Sequence, residues 1–374
     1  MTEQFQLRDL FNPALIDELA GNIHQAWPDF DQDAFVQAVV PKLPDLSFGD
    51  RSSLIADSLR HFLPDAYETA VFILIAALRP EPKTETFNGY DGFEIMPQCL
   101  FVSRYGLDEY DVSINALYEM TKRFTAEGDI RPFIQKYPDK TMAFLHEITQ
   151  DPSPFARRLA SEGTRPRLPL APRLPVFQQD PTPVIELLDK LKEDPNLMVR
   201  RSVANNLNDI AKDNPDTVVA TLERWRAIET PEMDWIISHA LRTLLKQGHL
   251  GALRLMGYDP DASIVVSDLR VSSTKIKVGD VLGFSFQVRS EEKRPCSLMI
   301  DYIIHYMKAN GRQKPKVFKA AKKTLAPGET ITVQQGRSFE KINTRPYYAG
   351  QHSLEIQING KRYAWADFDL IVAR

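Results

Sequence analysis

The 374-residue sequence predicts a multidomain chain of α-then-β class, with a helical solenoid over residues 1–258 and a β-sandwich over 262–374. Three observations carry this expectation. Apolar residues recur at helical spacing, in runs cut by prolines, across most of the first 250 residues. Two of these helical stretches are copies of one another, 43 residues apart. After Tyr258, Asp259 and Pro260 the apolar period drops to two, the period of half-buried strands.

Taken in order, Asn12 and Pro13 precede the run ALIDELAGNIHQAW, in which Leu15, Leu19, Ile23 and Trp27 share one helical face. DRSSLIADSLRHFLP ends at Pro64 and DAYETAVFILIAALRP at Pro80; paired helices broken by prolines point to a solenoid. Residues 81–99 read as loop around PEP and NGYDG, after which DVSINALYEMTKRFTAE resumes helical spacing through Ile114, Leu117 and Met120. The internal copy aligns DPSPFARRLASEG (151–163) with DPNLMVRRSVANN (194–206), matching Asp151 with Asp194, Pro152 with Pro195, and Arg157 and Arg158 with Arg200 and Arg201. An Asp-Pro turn ahead of a helix at this period resembles a HEAT repeat. Val199, Val203, Leu207 and Ile210 form the expected buried stripe of the second copy. DWIISHALRTLLKQGH (234–249) is a weaker copy with Gly248 as its terminator. Stacked HEAT repeats make concave surfaces that wrap long ligands, duplex DNA among them.

In the second region Leu282, Phe284, Phe286 and Val288 alternate with small or polar residues, as do Leu354, Ile356 and Ile358. Further strand-like runs lie near 264–271, 297–307, 330–339 and 362–372, separated by turn signals such as KANGR, LAPGE and INGK. Six or seven strands at this spacing are expected to form an immunoglobulin-like sandwich. Cys99 and Cys296 are too few and too distant for a disulfide framework or a thiolate metal site, so the usual inter-sheet disulfide is absent, as in a cytoplasmic member.

Composition excludes several classes. With 43% hydrophobic and 26% charged residues the chain is neither disordered nor fibrous. The apolar run VFILIAAL (71–78) is too short to cross a bilayer and MTEQFQLRDL is polar, so a cytoplasmic protein with no membrane partner is expected. The net charge of −4 hides a division: residues 262–374 hold 19 Lys and Arg against 10 Asp and Glu, leaving 27 against 40 for residues 1–261. The tract 302–328, with Lys308, Arg312, Lys314, Lys316 and Lys319, has no acid at all. Two readings fit it: a nucleic-acid contact, or a solvated lysine-rich hairpin that protects a sheet edge. No glycine-rich phosphate loop or metal-ligand spacing is evident, so neither cofactor nor metal is expected.

The chemistry-bearing stretch is ARRLASEGTRPRLPLAPRLP (156–175), which places Arg157, Arg158, Arg165, Arg167 and Arg173 around one carboxylate, Glu162. It reads either as a phosphate clamp with an acid inside it, or as a helix end in which Glu162 pairs with Arg158 one turn earlier. Glu127 and Glu162 each precede glycine at a helix end, where a carboxylate needs a cation to offset the helix C-terminal field. Asp209 lies at the edge of the buried stripe of the second copy. Each of the three, taken singly, also fits an ordinary surface carboxylate.

The tracts SEGTRPRLP (161–169) and RRSVANNLNDIAKDNP (200–215), together with Glu127, resemble the HEAT-like-repeat alkylpurine DNA glycosylases of the AlkC type. The resemblance covers the whole chain, because one AlkC subgroup carries a C-terminal immunoglobulin-like domain. It implies a protein that holds duplex DNA containing alkylated bases in a concave basic cleft, with Glu127, Glu162 and Asp209 facing the damaged nucleotide and Arg158 supporting them; a monomer is expected. The implied activity is monofunctional hydrolysis of 3-methyladenine or 3-methylcytosine from DNA without base flipping. Asp209 and Glu127 are then expected around sugar and water, with Glu162 assisting. Arg157, Arg165, Arg167 and Arg173, and the lysines and arginine of the 308–319 tract, are expected on phosphates. Leu170 stands where the family often has an aromatic after the Leu-Pro pair, which removes a stacking role there. The rival expectation, a non-catalytic protein- or DNA-binding scaffold, explains the architecture but not the acids beside arginine-rich segments.

Overall fold

The computed structural model describes residues 5–86, 90–342 and 346–372; residues 87–89 of the expected loop lie outside them. Helix gives way to strand between Leu255 and Ile264, but packing divides the chain differently. One compact unit comprises residues 1–214 and 228–240, the other 215–227 and 241–374. The helices Pro215–Trp225, Arg242–Gln247 and Leu250–Leu255 therefore belong with the strands.

In the first unit the helix Pro13–Ala26 is capped by Asn12, whose side chain accepts from the Leu15 amide, and it buries Ile16, Leu19, Ala20 and Ile23. Helices Phe48–Phe62 and Tyr67–Ala76 follow the proline-bounded runs. Two expectations are corrected. The stretch 81–99 is not all loop: a 3-10 turn, Phe93–Ile95, leads into the helix Met96–Tyr105. Pro97 opens that helix, and it is buried on several faces, which blurs its apolar period. The helix Tyr110–Thr121 stops before Glu127, which stands in a turn rather than at a helix end.

The 43-residue copy is a structural repeat whose invariant part is an arginine under an Asp-Pro turn. Arg157 Nη1 donates to the carbonyls of Asp151 (2.8 Å) and Pro152 (3.0 Å), and Arg200 Nη1 to those of Asp194 (2.7 Å) and Pro195 (2.9 Å). Asp151 accepts from the Ser153 amide as Asp194 does from the Asn196 amide. Arg157 then grips the Asp194 carboxylate at 2.6 and 3.1 Å, locking one repeat onto the next. Above this lock the helices Pro154–Gly163 and Leu197–Ile210 pack through Phe155, Leu159, Val199, Val203, Leu207 and Ile210, each buried apolar side chain contributing about 1.5–3 kcal/mol.

In the second unit, β1 (Ile264–Val271), β3 (Val281–Ser290) and β6 (Thr330–Ser338) form one antiparallel sheet in the order β1-β3-β6. The other sheet runs β2 (Lys275–Lys277), β8 (Lys361–Ile371), β7 (Gly350–Ile358), β4 (Cys296–Met307), β5 (Gln313–Leu325), with β2 parallel to β8. The alternating residues Leu282, Phe284, Phe286 and Val288 share a core with Ile300, Tyr302, Ile304, Leu354, Ile356 and Ile358. Gly248 ends its helix with φ of 75°, and a side chain there would run into the Gly360 backbone. The basic tract runs from the end of β4 through a turn into the edge strand β5, whose ladder partner is β4. Its lysines and Pro315 deny that edge to other strands.

Arg157→Gln is expected to destabilise the helical unit by about 3 kcal/mol, because it leaves the Asp194 carboxylate buried without its cation; urea unfolding followed by helical circular dichroism measures this.

Candidate active site

Three elements deliver the acids. Glu127 comes from the turn after Tyr110–Thr121, Glu162 from the last turn of Pro154–Gly163, and Asp209 from the last turn of Leu197–Ile210. Gly163 permits the approach, since a Cβ there would lie 2.7 Å from Ile130 Cγ2. The structure joins all three acids through two arginines. Arg158 places Nη1 and Nη2 each 3.3 Å from the two oxygens of Glu127, and Nη2 also lies 3.7 Å from Glu162 Oε1. Arg165 donates from Nη1 to Glu162 Oε1 (2.6 Å), and from Nε (2.8 Å) and Nη2 (2.7 Å) to Asp209 Oδ2. Lys212 Nζ closes the series, 2.7 Å from Asp209 Oδ1. The result is a chain of strictly alternating sign: Glu127, Arg158, Glu162, Arg165, Asp209, Lys212.

Burial encloses the middle of this chain. Glu162 is 6% and Asp209 2% exposed. Burial pushes the Glu162 carboxyl up, but Arg158, Arg165 and the Ser202 hydroxyl, 2.5 Å from Oε2, outweigh it and hold the group below the ordinary carboxylate range. Burial likewise works against the charges of Arg158 and Arg165, and the flanking carboxylates overcome it. Arg131, 1% exposed, fixes the loop that carries Arg165: Nη1 donates to the carbonyls of Gly163 (2.9 Å) and Arg165 (2.8 Å), and Nε and Nη2 to that of Pro172. Burial, reinforced by the charge of Arg165, pulls its guanidinium down to about 10, which leaves it cationic at neutral pH. Asn206 bonds the Ser161 carbonyl, and Ser202 the Ser161 hydroxyl, so the two repeats meet in polar contacts directly beneath the acids.

Two of the arginines expected on phosphate are turned inward instead. Arg165 is 8% exposed and spent on Glu162 and Asp209, and Arg157 on Asp194 and its own turn. Arg167 is half-buried and paired with the Asp213 carboxylate at 2.7 and 2.5 Å. Arg173 is exposed, as are Arg312, Lys314, Lys316 and Lys319, while Lys308 is half-buried. Leu170 is 86% exposed at φ of 61°, a left-handed conformation unusual for leucine. Sequence reasoning missed Ser202, Arg131 and Lys212. Only Lys212 had a local signal, three residues beyond Asp209 on a helix; the partners of the other two lie more than 30 residues away.

Helical repeats that bring three carboxylates together through arginines, followed by an immunoglobulin-like sandwich, define the class as a helical-repeat protein with a C-terminal β domain. Residues 265–372 match the family model described as the C-terminal Ig-like domain of the uncharacterised protein YhaZ. The chain is 36% identical over 365 residues to YhaZ of Bacillus subtilis (strain 168), covering 97% of this chain and 99% of that one. The solved structure of Pseudomonas fluorescens alkylpurine DNA glycosylase AlkC, bound to DNA containing an abasic-site analog, superposes with a TM-score of 0.90 at 35% identity, covering 98% of this chain and all of that one. The chain belongs to the AlkC family of alkylpurine DNA glycosylases, in the group with a C-terminal immunoglobulin-like domain.

Beside this chain of charges, Asp129 receives a 2.7 Å hydrogen bond from Ser103. Burial pushes its carboxyl up to about 7, opposed by Ser103 and aided by the charge of Glu127. A carboxyl whose folded value lies above its unfolded one favours folding while protonated and loses that advantage as pH rises through the folded value. Asp129→Asn is therefore expected to raise thermal stability relative to wild type at pH 8 and to leave little difference at pH 4, as read by melting curves across that range.

Proposed function

We infer that this chain hydrolyses the N-glycosidic bond of cationic N3-methylated bases, 3-methyladenine and 3-methylcytosine, in duplex DNA. The observation that carries the reading is the convergence of Glu127, Glu162 and Asp209 through Arg158 and Arg165. An N3-methylated base already bears a positive charge and leaves without protonation. When the bond from C1′ to the base nitrogen breaks, both electrons go to the base and neutralise it, while positive charge appears on the deoxyribose. Fixed carboxylates stabilise that oxocarbenium-like state, and one of them accepts a proton as water adds to C1′.

Within the chain the acids divide by their surroundings. Glu162 lies between Arg158 and Arg165, with Ser202 on its second oxygen, so it acts as the hub that holds the two arginines. Asp209 and Glu127, on either side of this hub, are assigned to sugar and water, with Arg158 orienting Glu127. These groups need to reach only C1′ and a water, so the base need not be drawn into a pocket. A monofunctional course fits Lys212, whose ammonium is paired with Asp209 and is not a free amine nucleophile. Exposed Arg173 and the lysines of β5 are assigned to backbone phosphates.

Asp209→Asn removes the charge and nearly keeps the shape. It is expected to lower single-turnover release of 3-methyladenine from methylated duplex DNA by about 100-fold or more, the cost of losing one preorganised charge. Wild-type protein that binds the duplex and releases no base makes this a DNA-binding scaffold instead. Release is expected to persist in EDTA, measured in the same assay.

A further inference from the structure

The six-membered chain is electrically neutral, three anions against three cations, and that conflicts with its assigned task. An anion that stabilises a developing cation is weakened when both its oxygens are already neutralised. Asp209 is in that state: Arg165 holds Oδ2 through two nitrogens and Lys212 holds Oδ1. The two cations are held very differently. Arg165 has a 9% exposed side chain, a second carboxylate partner in Glu162, and a backbone fixed by Arg131. The Lys212 side chain is 37% exposed and its ammonium pairs with Asp209 alone of the three acids. It is the most exposed member of the chain, against 19% for Glu127, 15% for Arg158 and 8% for Glu162. A lysine ammonium on a flexible four-carbon stem is a point charge that exchanges partners more readily than a forked guanidinium.

We propose that Lys212 is an exchangeable cap on Asp209, which pairs with Oδ1 in the free protein and moves to a backbone phosphate of the lesion strand when DNA binds. This rests on the glycosylase reading and adds a positioning residue to it. The exchange trades one charge-assisted contact for another, so it is close to neutral in energy. It leaves Asp209 Oδ1 open and the remaining five groups with a net charge of −1, matched to the single positive charge of base and sugar. Asp209 is also in the last turn of its helix, where the C-terminal field disfavours an anion and favours Lys212. In the absence of DNA the cap offsets that field, and in its presence the approaching phosphate competes for the lysine. The ammonium stays protonated throughout, so no covalent step is involved.

The test is binding of an unmethylated duplex carrying one abasic site, over a salt series, by wild type, Lys212→Met and Lys212→Arg, with melting temperatures confirming that each variant folds. Lys212→Met is expected to bind about fivefold more weakly, with the slope of log Kd against log salt reduced by about 0.9, the contribution of one phosphate contact. Lys212→Arg is expected to restore the slope. A permanent partner of Asp209 never meets phosphate, so an unchanged slope in Lys212→Met overturns the exchange. Because the probe contains no alkylated base, the result is independent of catalysis: a wild type that releases no base from methylated DNA overturns the enzyme reading, and an unchanged slope overturns the cap. A wild type that does not bind the duplex overturns both.

Discussion

The guanidinium of Arg165 is the constraint on which the rest of the active centre depends. Two carboxylates as deeply buried as Glu162 and Asp209 would each cost several kcal/mol if left uncompensated. One planar cation reaches both because its nitrogens fan out from a single centre, Nη1 toward Glu162 and Nε with Nη2 toward Asp209. A lysine ammonium offers no such fork. The two acids come from successive repeats, so this bridge also fixes the register of one repeat on the next: sliding either helix by one turn, about 5.4 Å, would separate the charges entirely. Arg157 on Asp194, Ser202 on Glu162 and Asn206 on the Ser161 carbonyl all act to prevent that slide. Arg131 holds the loop from beneath. Stability and site geometry are thus secured by the same contacts.

The expense of burying the chain has a chemical return. In a water-filled cleft, carboxylates would reorient as charge developed on the sugar, and that reorganisation would enter the barrier. Under the proposed function, the anions are already held before the bond breaks. The arginines that make burial possible also dilute the negative field, and this is the tension within the design. Alternation of sign offsets it, because neighbouring charges cancel along a series whose ends are Glu127 and Lys212, and release of Lys212 as proposed leaves an acid at each end. The hub position of Glu162 follows from the same logic: it is the acid held between two arginines.

Much of the architecture was legible because the repeats and strands obey local rules. The Asp-Pro and Arg-Arg coincidence at 43 residues was readable because Arg157 and Arg200 each make the same two carbonyl contacts. The sandwich strands alternated cleanly wherever one face met the core. Strand β5 escaped that pattern because an edge strand carries lysines for reasons unrelated to alternation, and the helix Met96–Tyr105 escaped it because it is buried on more than one side. At the site, the acids and Arg158 were visible through resemblance, and the structure shows which atoms they share. What the sequence could not show was orientation. Arg157 and Arg165 read as phosphate ligands because residue type and local density were the only information, and their actual partners, Asp194 and Asp209, lie 37 and 44 residues away. An arginine-rich tract reports that cations are needed nearby. It does not report whether their anions belong to a ligand or to the protein itself.

That distinction bears on substrate choice. Had the arginines of 157–165 faced outward, affinity for any DNA backbone would have dominated and selectivity would have required contacts to the damaged base. Arg157, Arg158 and Arg165 are absorbed into internal pairs, and under the proposed function the groups left to face substrate at the site are carboxylates. Carboxylates repel phosphate and discriminate by charge. A neutral adenine leaves as an anion and gains little from them, whereas a methylated cationic base leaves neutral and transfers its charge to the sugar beside them. Under the proposed function, selectivity for damage arises in the bond-breaking step itself rather than in recognition of the base's edges, and it extends to any lesion whose base carries a positive charge before the bond breaks, purine or pyrimidine alike.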